Sequence, residues 1–232
     1  MTAAGTRARV RAELTREIAD VARRHLASAG AAALSLRAVA RELGMASSAV
    51  YRYFPSRDDL LTALIVDAYD ALGEAAERAE AAAPRDDLRA RWHAGCTAAR
   101  EWALAHPHEY ALLYGSPVPG YAAPETTIAP AARVALVLCR VLADGVAAGT
   151  VAVDGPDTGA TLTPGVGAAL GLPGDVAARA VLAWSSLYGA ISFELFGHTH
   201  NVVADHAPFF AGVVDHLADL VGIPQRSPGT AP

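Results

Sequence analysis

The chain is poor in several residue types, and its composition limits the fold classes that it can adopt. All 19 basic residues are arginine, and aromatic residues make up only 6% of the 232 residues. The apolar residues do not alternate with polar ones as they do in strands, and abundant alanine favours helices packed through small side chains. Hydrophobic residues at 53% against charged residues at 19% exclude global disorder. The sequence therefore predicts an all-α protein of about nine helices.

The chain also lacks the segments that take proteins into membranes or out of the cell. Its N-terminal arginines have no apolar run behind them, unlike those of a signal peptide. Prolines and glycines interrupt every stretch that approaches the roughly 18 to 20 apolar residues of a membrane span. The two cysteines, Cys96 and Cys139, lie in apolar helical patterns, so we expect reduced, buried thiols. We expect a soluble, cytoplasmic protein.

Charge is distributed unevenly along the chain. Residues 1–57 contain ten arginines and four acidic residues, whereas residues 58–232 contain nine arginines and twenty acidic residues. A basic N-terminal part on an acidic remainder favours an anionic partner for the N-terminal part alone. A solvated basic surface without a partner is the alternative interpretation.

Two short helices joined by a tight turn are predicted after a first helix over residues 10–29. The first of the pair begins after Ser35 and ends at Gly44, which gives the turn its backbone freedom. The second begins near Ser47, and Pro55 stops it. This arrangement is typical of a helix-turn-helix.

The outward positions of the second short helix suit contact with DNA. Val50 and Phe54 point inward, at i and i+4, which leaves small and polar residues outside. Small side chains let a helix backbone approach base edges in the major groove, and tyrosine hydroxyls can donate to phosphates. Arg57 opposes the dipole of the next helix, so a nearby anion would resolve that conflict. The candidates are Ser47, Ser48, Ala49, Tyr51, Arg52 and Arg57, and ordinary surface decoration is the alternative.

The segment "SLRAVARELGMASSAVYRYFPSRDDLL" resembles the DNA-binding head of the tetracycline-repressor (TetR) family of one-component bacterial regulators. The aromatic ending, the basic residue after it and the acidic helix start carry the resemblance, which covers residues 10–65. It implies the following roles in DNA binding: Ser35 and Tyr51 hold phosphates, Arg37 is placed to contact a guanine, Ser47 and Ser48 lie over bases, and Tyr53 and Arg57 grip the backbone.

One position departs from the family pattern. Ala46 stands where many members have a serine that caps the recognition helix. Ser47 is the alternative cap, which weakens its assignment to a base.

Three segments are predicted along the chain. Residues 1–56 form the helix-turn-helix DNA-binding domain, residues 57–225 a ligand-binding and dimerisation domain that starts with a connecting helix over 57–83, and residues 226–232 a flexible tail. Within the second domain, further helices are expected over 87–105, 107–115, 125–148, 175–197 and 205–221. Residues 150–174, rich in glycine, proline and threonine, are expected to be the most flexible internal segment.

The C-terminal part has a resemblance of its own. "YGSPVPGYAAPET" and "WSSLYGAISFELFGH" resemble a TetR C-terminal subfamily marked by a Trp-His-Gly signature, with Tyr188 in place of the histidine. The family resemblance assigns homodimerisation to the last two long helices, where two apolar stripes are candidates. They are Ala183, Leu187, Ile191 and Leu195, and Phe209, Val213, His216, Leu217 and Leu220. The interior of a single protomer is the alternative for both stripes.

The resemblance also implies an unknown small-molecule effector. An effector pocket needs apolar walls with a few polar groups. The candidates are Trp92, Trp102, Tyr110, Tyr114, Trp184, Tyr188 and Phe193, each of which could instead be plain core. By resemblance, the effector would shift the population toward a state in which the helix over 57–83 moves the DNA-binding heads out of register.

Two further interpretations remain open, and a third is not expected. A metal-sensing regulator would use "GHTHNVVADH", with His198, His200, Asp205 and His206, as zinc ligands. An architectural DNA-coating protein would bind with steep salt dependence but little sequence preference. An enzyme is not expected, because the sequence shows no nucleophile–base pair, and no cofactor is indicated.

Overall fold

The structure, a computed structural model, describes residues 3–155, 158–159 and 161–225. In this part of the chain there are ten α-helices and no strand, which confirms the all-α prediction. The helices are α1 (Ala3–Ala29), α2 (Leu36–Glu42), α3 (Ser47–Val50), α4 (Arg57–Ala82), α5 (Leu88–Ala105), α6 (Pro107–Tyr114), α7 (Ile128–Ala147), α8 (Val166–Leu170), α9 (Gly174–Leu195) and α10 (His206–Leu220). The short helix α8 forms inside the segment that the sequence predicts to be the most flexible.

The chain divides into two compact units. The head unit comprises Met1–Asp70 and His106–Pro130, and the body unit comprises Ala71–Ala105 and Ala131–Pro232. Helix α4 supplies residues to both. The functional boundary between residues 56 and 57 stays a prediction, and the predicted tail 226–232 lies outside the described residues.

One apolar core holds the head unit together. Val50 and Phe54, which the helical spacing places inward, are both buried. Each fully buried aliphatic or aromatic side chain contributes about 1.5–3 kcal/mol of transfer free energy. The buried members are Ile18, Ala19, Val21, Ala22, Leu34, Leu36, Val39, Ala40, Val50, Phe54, Leu60, Leu61 and Leu64. Residues of α1, α2, α3 and α4 all contribute to this core.

A glycine turn separates α2 from α3, and a side-chain cap marks the start of α4. Gly44 adopts a φ of 64° in the turn between α2 and α3, a conformation that other residues avoid. The hydroxyl of Ser56 accepts a hydrogen bond from the backbone amide of Asp59 over 3.1 Å, which caps α4. Ser35 and Ala46 occupy the N-cap positions of α2 and α3 without a side-chain cap bond. Ser47 is therefore the first residue of α3 rather than its cap.

Helix α6 and the loop after it also belong to the head unit. Val118 and Tyr121 pack against its core, although they lie more than fifty residues beyond it in sequence. The Tyr121 hydroxyl and Oγ1 of Thr62 share a hydrogen bond of 3.0 Å. The proline-rich loop is thereby tied to α4, which the sequence does not reveal.

The body unit is organised around α5, α7, α9 and α10. The indole nitrogen of Trp92, on α5, donates to the carbonyl of Val214, on α10, over 3.2 Å. Arg100 and Glu194 join α5 to α9 through two hydrogen bonds of 2.7 and 2.6 Å. Such a paired fork fixes both the distance and the orientation of the two helices.

Two segments pass a length and composition test for membrane-crossing helices. They are Glu125–Ala147, with a mean hydropathy of 1.6, and Gly174–Leu195, with a mean hydropathy of 1.3. About 39% and 50% of these windows are buried inside the protein. Core helices of soluble proteins pass the same test, so this finding is weak support for a membrane span.

Candidate nucleic-acid interface and effector cavity

The surface of α3 has the composition expected of a groove-binding helix. Ser48 and Arg52 are exposed, and Tyr51 is 41% exposed. Ser47 and Ala49 are half-buried. None of the five is enclosed by the core, because α3 turns Val50 inward. The helix therefore presents small side chains at its start and larger donors behind them.

Two groups of arginines in the head unit differ in their electrostatic environment. Arg23 pairs with Asp20 and Asp67, at 2.5 and 2.6 Å, and Arg24 pairs with Glu42 at 2.7 Å, so these charges are neutralised locally.

Arg37, Arg41 and Arg52 form the other group. All three are exposed, and among the described residues none has an acidic partner within ion-pair distance. Helices α2 and α3 pack on each other, so these unpaired guanidinium groups raise the electrostatic potential around the helix-turn-helix. Arg41 was missed by the sequence reasoning, although its i+4 spacing from Arg37 on a short amphipathic helix was an available signal.

Arg57 already has partners inside the fold. Its guanidinium donates to the carbonyls of Ala31 (2.9 Å), Leu34 (3.2 Å) and Ala32 (3.3 Å). These contacts join the start of α4 to the 3₁₀ turn Ala31–Ala33 and resolve the conflict with the α4 dipole without an external anion. Contact of Arg57 with phosphate stays a prediction, and it would require the group to share its donors.

Arg11 is a second residue that the sequence reasoning missed. Its guanidinium carbon lies 5.1 Å from the ring centroid of the half-buried Tyr53. Its Nη2 also donates to the carbonyl of Arg52 over 3.3 Å. A cation over an aromatic face is held by the ring quadrupole. Residues 11 and 52 are 41 positions apart, so no local pattern predicts their contact.

An apolar cavity of about 190 Å³ lies within the body unit. Its lining residues are all hydrophobic: Trp92, Ala135, Leu138, Cys139, Val166, Leu170, Ala180, Val181 and Trp184. Burial raises the pKa of the Cys139 thiol to about 11, so that group is neutral near pH 7. The cavity therefore offers no charged wall.

The structure does not bring the seven predicted pocket residues together. Trp92 and Trp184 line the cavity, and Tyr188 is buried 5.8 Å from Trp184 between ring centroids. Trp102 is buried in the body unit but does not line the cavity. Phe193 is 56% exposed. Indole and phenyl rings fill core and surface positions as readily as pockets, which is why residue type alone could not separate them.

The remaining two, Tyr110 and Tyr114, belong to the head unit. Their ring centroids lie 5.0 Å apart, and that of Tyr69 lies 6.1 Å from that of Tyr114. This aromatic cluster packs α6 against α4 within the head unit. Burial raises the pKa of the Tyr69 hydroxyl, which keeps it protonated.

The two predicted dimer stripes have different exposures. Ala183, Leu187, Ile191 and Leu217 are buried inside the protomer, in agreement with the core alternative. Leu195, Val213 and Leu220 are half-buried, whereas Phe209 and His216 are exposed. The exposed apolar residues of α9 are instead Leu182 and Phe193. Leu187 and Ile191 face the protomer core, an orientation that helical spacing alone does not determine.

The histidine-rich segment after α9 has structural roles. Oδ1 of Asp205 accepts from the amide of Ala207 over 3.0 Å and caps α10, while Nε2 of His206 and Oγ1 of Thr199 share a bond of 2.9 Å. The exposed rings of His198 and Phe193 lie 5.1 Å apart between centroids. His200 is exposed. In the part of the chain that the structure describes, no group of three or more potential ligands is arranged to hold a metal ion.

Two ranges of the chain match models of known protein families. Residues 18–64 match a family model described as bacterial regulatory proteins of the tetR family. Residues 92–217 match one described as a tetracyclin repressor-like C-terminal domain. These matches include the helix-turn-helix and most of the body unit.

Two relatives and one solved structure are similar to most of this chain. The HTH-type transcriptional regulators Rv1816 of Mycobacterium tuberculosis and Mb1846 of Mycobacterium bovis are each 43% identical over 204 residues, which cover 83% of this chain and 85% of the relative. The solved structure of the regulatory protein SCO4313 aligns with a TM-score of 0.72 and 34% identity, covering 91% of this chain and 98% of that one. The Trp-His-Gly subtype is compatible with these matches but is not specified by them.

A basic helix-turn-helix, a separate helical unit and matches over both lead to one assignment: the chain belongs to the TetR family of DNA-binding transcriptional regulators.

Proposed function

We propose that this protein is a cytoplasmic repressor that binds a palindromic operator as a homodimer and leaves it when a small apolar or aromatic effector binds. The helix-turn-helix carries the proposal, because it presents small outward side chains on α3 beside exposed arginines that have no acidic partner in the described part of the chain. Such a surface attracts the phosphate backbone and lets α3 approach the base edges.

Each candidate residue has a proposed role on the duplex. Ser47, Ser48 and Ala49 lie over bases, and Arg37 contacts a guanine with its two-pronged donor set. Ser35, Tyr51, Arg52, Tyr53 and Arg57 position the helix through the phosphates. Arg41 is added to this second group, because it is exposed on α2.

The proposed dimer forms through the outward faces of α9 and α10. Leu182, Phe193 and Phe209 expose apolar surface there. The Cβ positions of Gly189 and Gly212 face open space, so a partner backbone can come close. A two-fold dimer of this kind places its two recognition helices about 34 Å apart, one turn of DNA. The buried members of the two predicted dimer stripes would pack beneath that face inside the protomer. They are Ala183, Leu187, Ile191 and Leu217.

The proposed effector occupies the apolar cavity of the body unit. A cavity of about 190 Å³ with only hydrophobic walls favours a small, uncharged molecule. Helix α8, which supplies Val166 and Leu170, lies between Gly165 and Gly171, whose φ angles are 90° and 69°. Both angles lie in the left-handed region, which glycine adopts without strain. An effector that binds more tightly to the state with low affinity for DNA would weaken DNA binding. DNA would then weaken effector binding by the same factor.

Selection of duplexes from a randomised library tests the operator proposal. We expect a palindromic consensus, two chains per duplex, and loss of preference at one base position when Arg37 is changed to alanine. A library that yields no consensus would contradict operator recognition and would favour an architectural protein with salt-dependent, sequence-independent binding.

A zinc titration separates the metal-sensing alternative. The metal-sensing alternative is favoured if zinc releases the duplex and if this release disappears when His198, His200 and His206 are changed to alanine. Release by uncharged single-ring compounds, without any effect of zinc, supports the cavity.

A further inference from the structure

The beginning of α1 extends beyond the packed core of the head unit. Every residue from 5 to 13 is exposed, and the first buried side chain of the helix is Ile18. At 1.5 Å per residue, this segment is about 13 Å long. Packing against the core therefore does not determine its sequence.

The segment is strongly basic. Arg7, Arg9 and Arg11 lie on it, and Glu13 is its one acidic residue. Arg9 approaches Glu13 at 3.6 Å, but both side chains are more than half exposed, so the pair is weak. A row of arginines on an exposed helix is complementary to a polyanion.

The segment is attached beside the recognition helix. Arg11 contacts the ring of Tyr53 and the carbonyl of Arg52, the residues that follow α3. A duplex lying against α3 would therefore meet the segment at its edge. The match to the TetR-family model begins at residue 18, after the end of this segment.

We propose that residues 5–13 form a second DNA-binding surface, which contacts the phosphates that flank the half-site bound by α3. The proposal rests on the operator binding proposed above. Arg11 fastens the segment to the recognition helix, and Arg7 and Arg9 contact the backbone of the flanking duplex.

Two duplexes and three double variants test this surface. The first duplex carries only the selected consensus, and the second extends it by about six base pairs at each end, more than the roughly four steps that ~13 Å can cover. Binding is measured by fluorescence anisotropy over a range of salt concentrations. Arg7→Gln/Arg9→Gln removes two charges from the segment, Arg7→Lys/Arg9→Lys retains them, and Arg78→Gln/Arg140→Gln removes two exposed charges from the body unit.

The proposal expects an effect on the longer duplex only. The Arg7→Gln/Arg9→Gln variant should bind the longer duplex at least about tenfold more weakly than the wild type does. The slope of log K against log salt concentration should become shallower by about 0.9 for each arginine that contacts a phosphate. This variant should bind the short duplex as the wild type does. The lysine variant and the body-unit variant should match the wild type on both, and all should share its thermal unfolding midpoint.

Two results would overturn the proposal. Equal weakening on both duplexes would show a non-local charge effect, and no weakening on either would show that the segment does not touch DNA. If the wild type prefers no sequence at all, the operator proposal itself fails, and this inference fails with it.

Discussion

The guanidinium of Arg91 donates from Nε to Oε1 of Glu80 over 2.6 Å, and the two residues are only 1% and 6% exposed. This buried pair joins the end of α4 to α5. Asp144, on α7, accepts a second bond from Arg91 at 2.7 Å, so three helices of the body unit meet at one guanidinium.

Removing one partner of this pair should destabilise the body unit. Glu80→Gln leaves a buried cation with one carboxylate, so we expect the free energy of unfolding to fall by about 3 kcal/mol. Chemical denaturation measures it. Glu74→Gln is the matched control, because Glu74 pairs with Arg78 on the exposed side of the same helix and should change stability by less than about 1 kcal/mol. Equal effects of the two changes would show that burial of the pair is unimportant.

Arg37→Ala should change which sequence is bound, not only how tightly. Loss of a bidentate contact to guanine should lower discrimination at one base position by about 1–3 kcal/mol. Competition between duplexes that differ at each consensus position measures this. If affinity falls equally on every duplex, Arg37 contacts phosphate instead. Arg24→Ala, which removes an exposed arginine already paired with Glu42, provides the control.

Tyr51→Phe should weaken binding without changing the consensus. It removes one hydroxyl donor from a side chain that is 41% exposed, so we expect a loss of about 0.5–1.5 kcal/mol, more if the acceptor is a charged phosphate. Anisotropy titration of the selected duplex measures it. An unchanged affinity would remove Tyr51 from the interface.

The stability of the protein should decline at acidic pH through Glu77. Two hydrogen bonds from Arg133, at 2.6 and 3.1 Å, lower the pKa of this carboxyl below its ordinary value. A carboxyl whose pKa is lower in the folded state stabilises it above the unfolded pKa of about 4.3 and loses that stabilisation as the pH falls through the folded pKa. Glu77→Gln should therefore reduce stability at pH 7 by less than about 1 kcal/mol, because the pair is partly exposed.

The deficit of the same variant should shrink as the pH falls below the unfolded pKa of about 4.3, and it should disappear below the folded pKa. Unfolding curves of both proteins, collected from pH 7 to about pH 3, test the sign of this pH dependence. A Glu77→Gln deficit that grows on acidification would contradict it. Asp67 acts in the opposite direction, since burial raises the pKa of its carboxyl.

Features determined by neighbouring residues could be predicted from the sequence. The inward positions of Val50 and Phe54 follow from helical spacing, and the turn at Gly44 follows from its backbone freedom. Ser56 caps α4 as a serine before an acidic first turn is expected to do.

Features that depend on contacts between distant parts of the chain could not be predicted. Thr62 and Tyr121, 59 residues apart, meet only once the chain has folded. Arg57 satisfies carbonyls of the 3₁₀ turn, where the sequence suggested an external anion. The apolar stripe of α9 suited a protomer core and a dimer face equally, and the structure places Leu187 and Ile191 in the core.

The most direct test of the account is the binding of wild-type protein to its selected duplex in the presence of an excess of a scrambled duplex of equal length, measured by anisotropy at low and moderate salt. We predict that the selected duplex stays bound, at roughly a thousandfold or greater preference, and that Arg37→Ala narrows this preference. The account would be contradicted if scrambled DNA displaced the selected duplex as readily as unlabelled selected duplex does. It would also be contradicted if neither duplex bound at low salt.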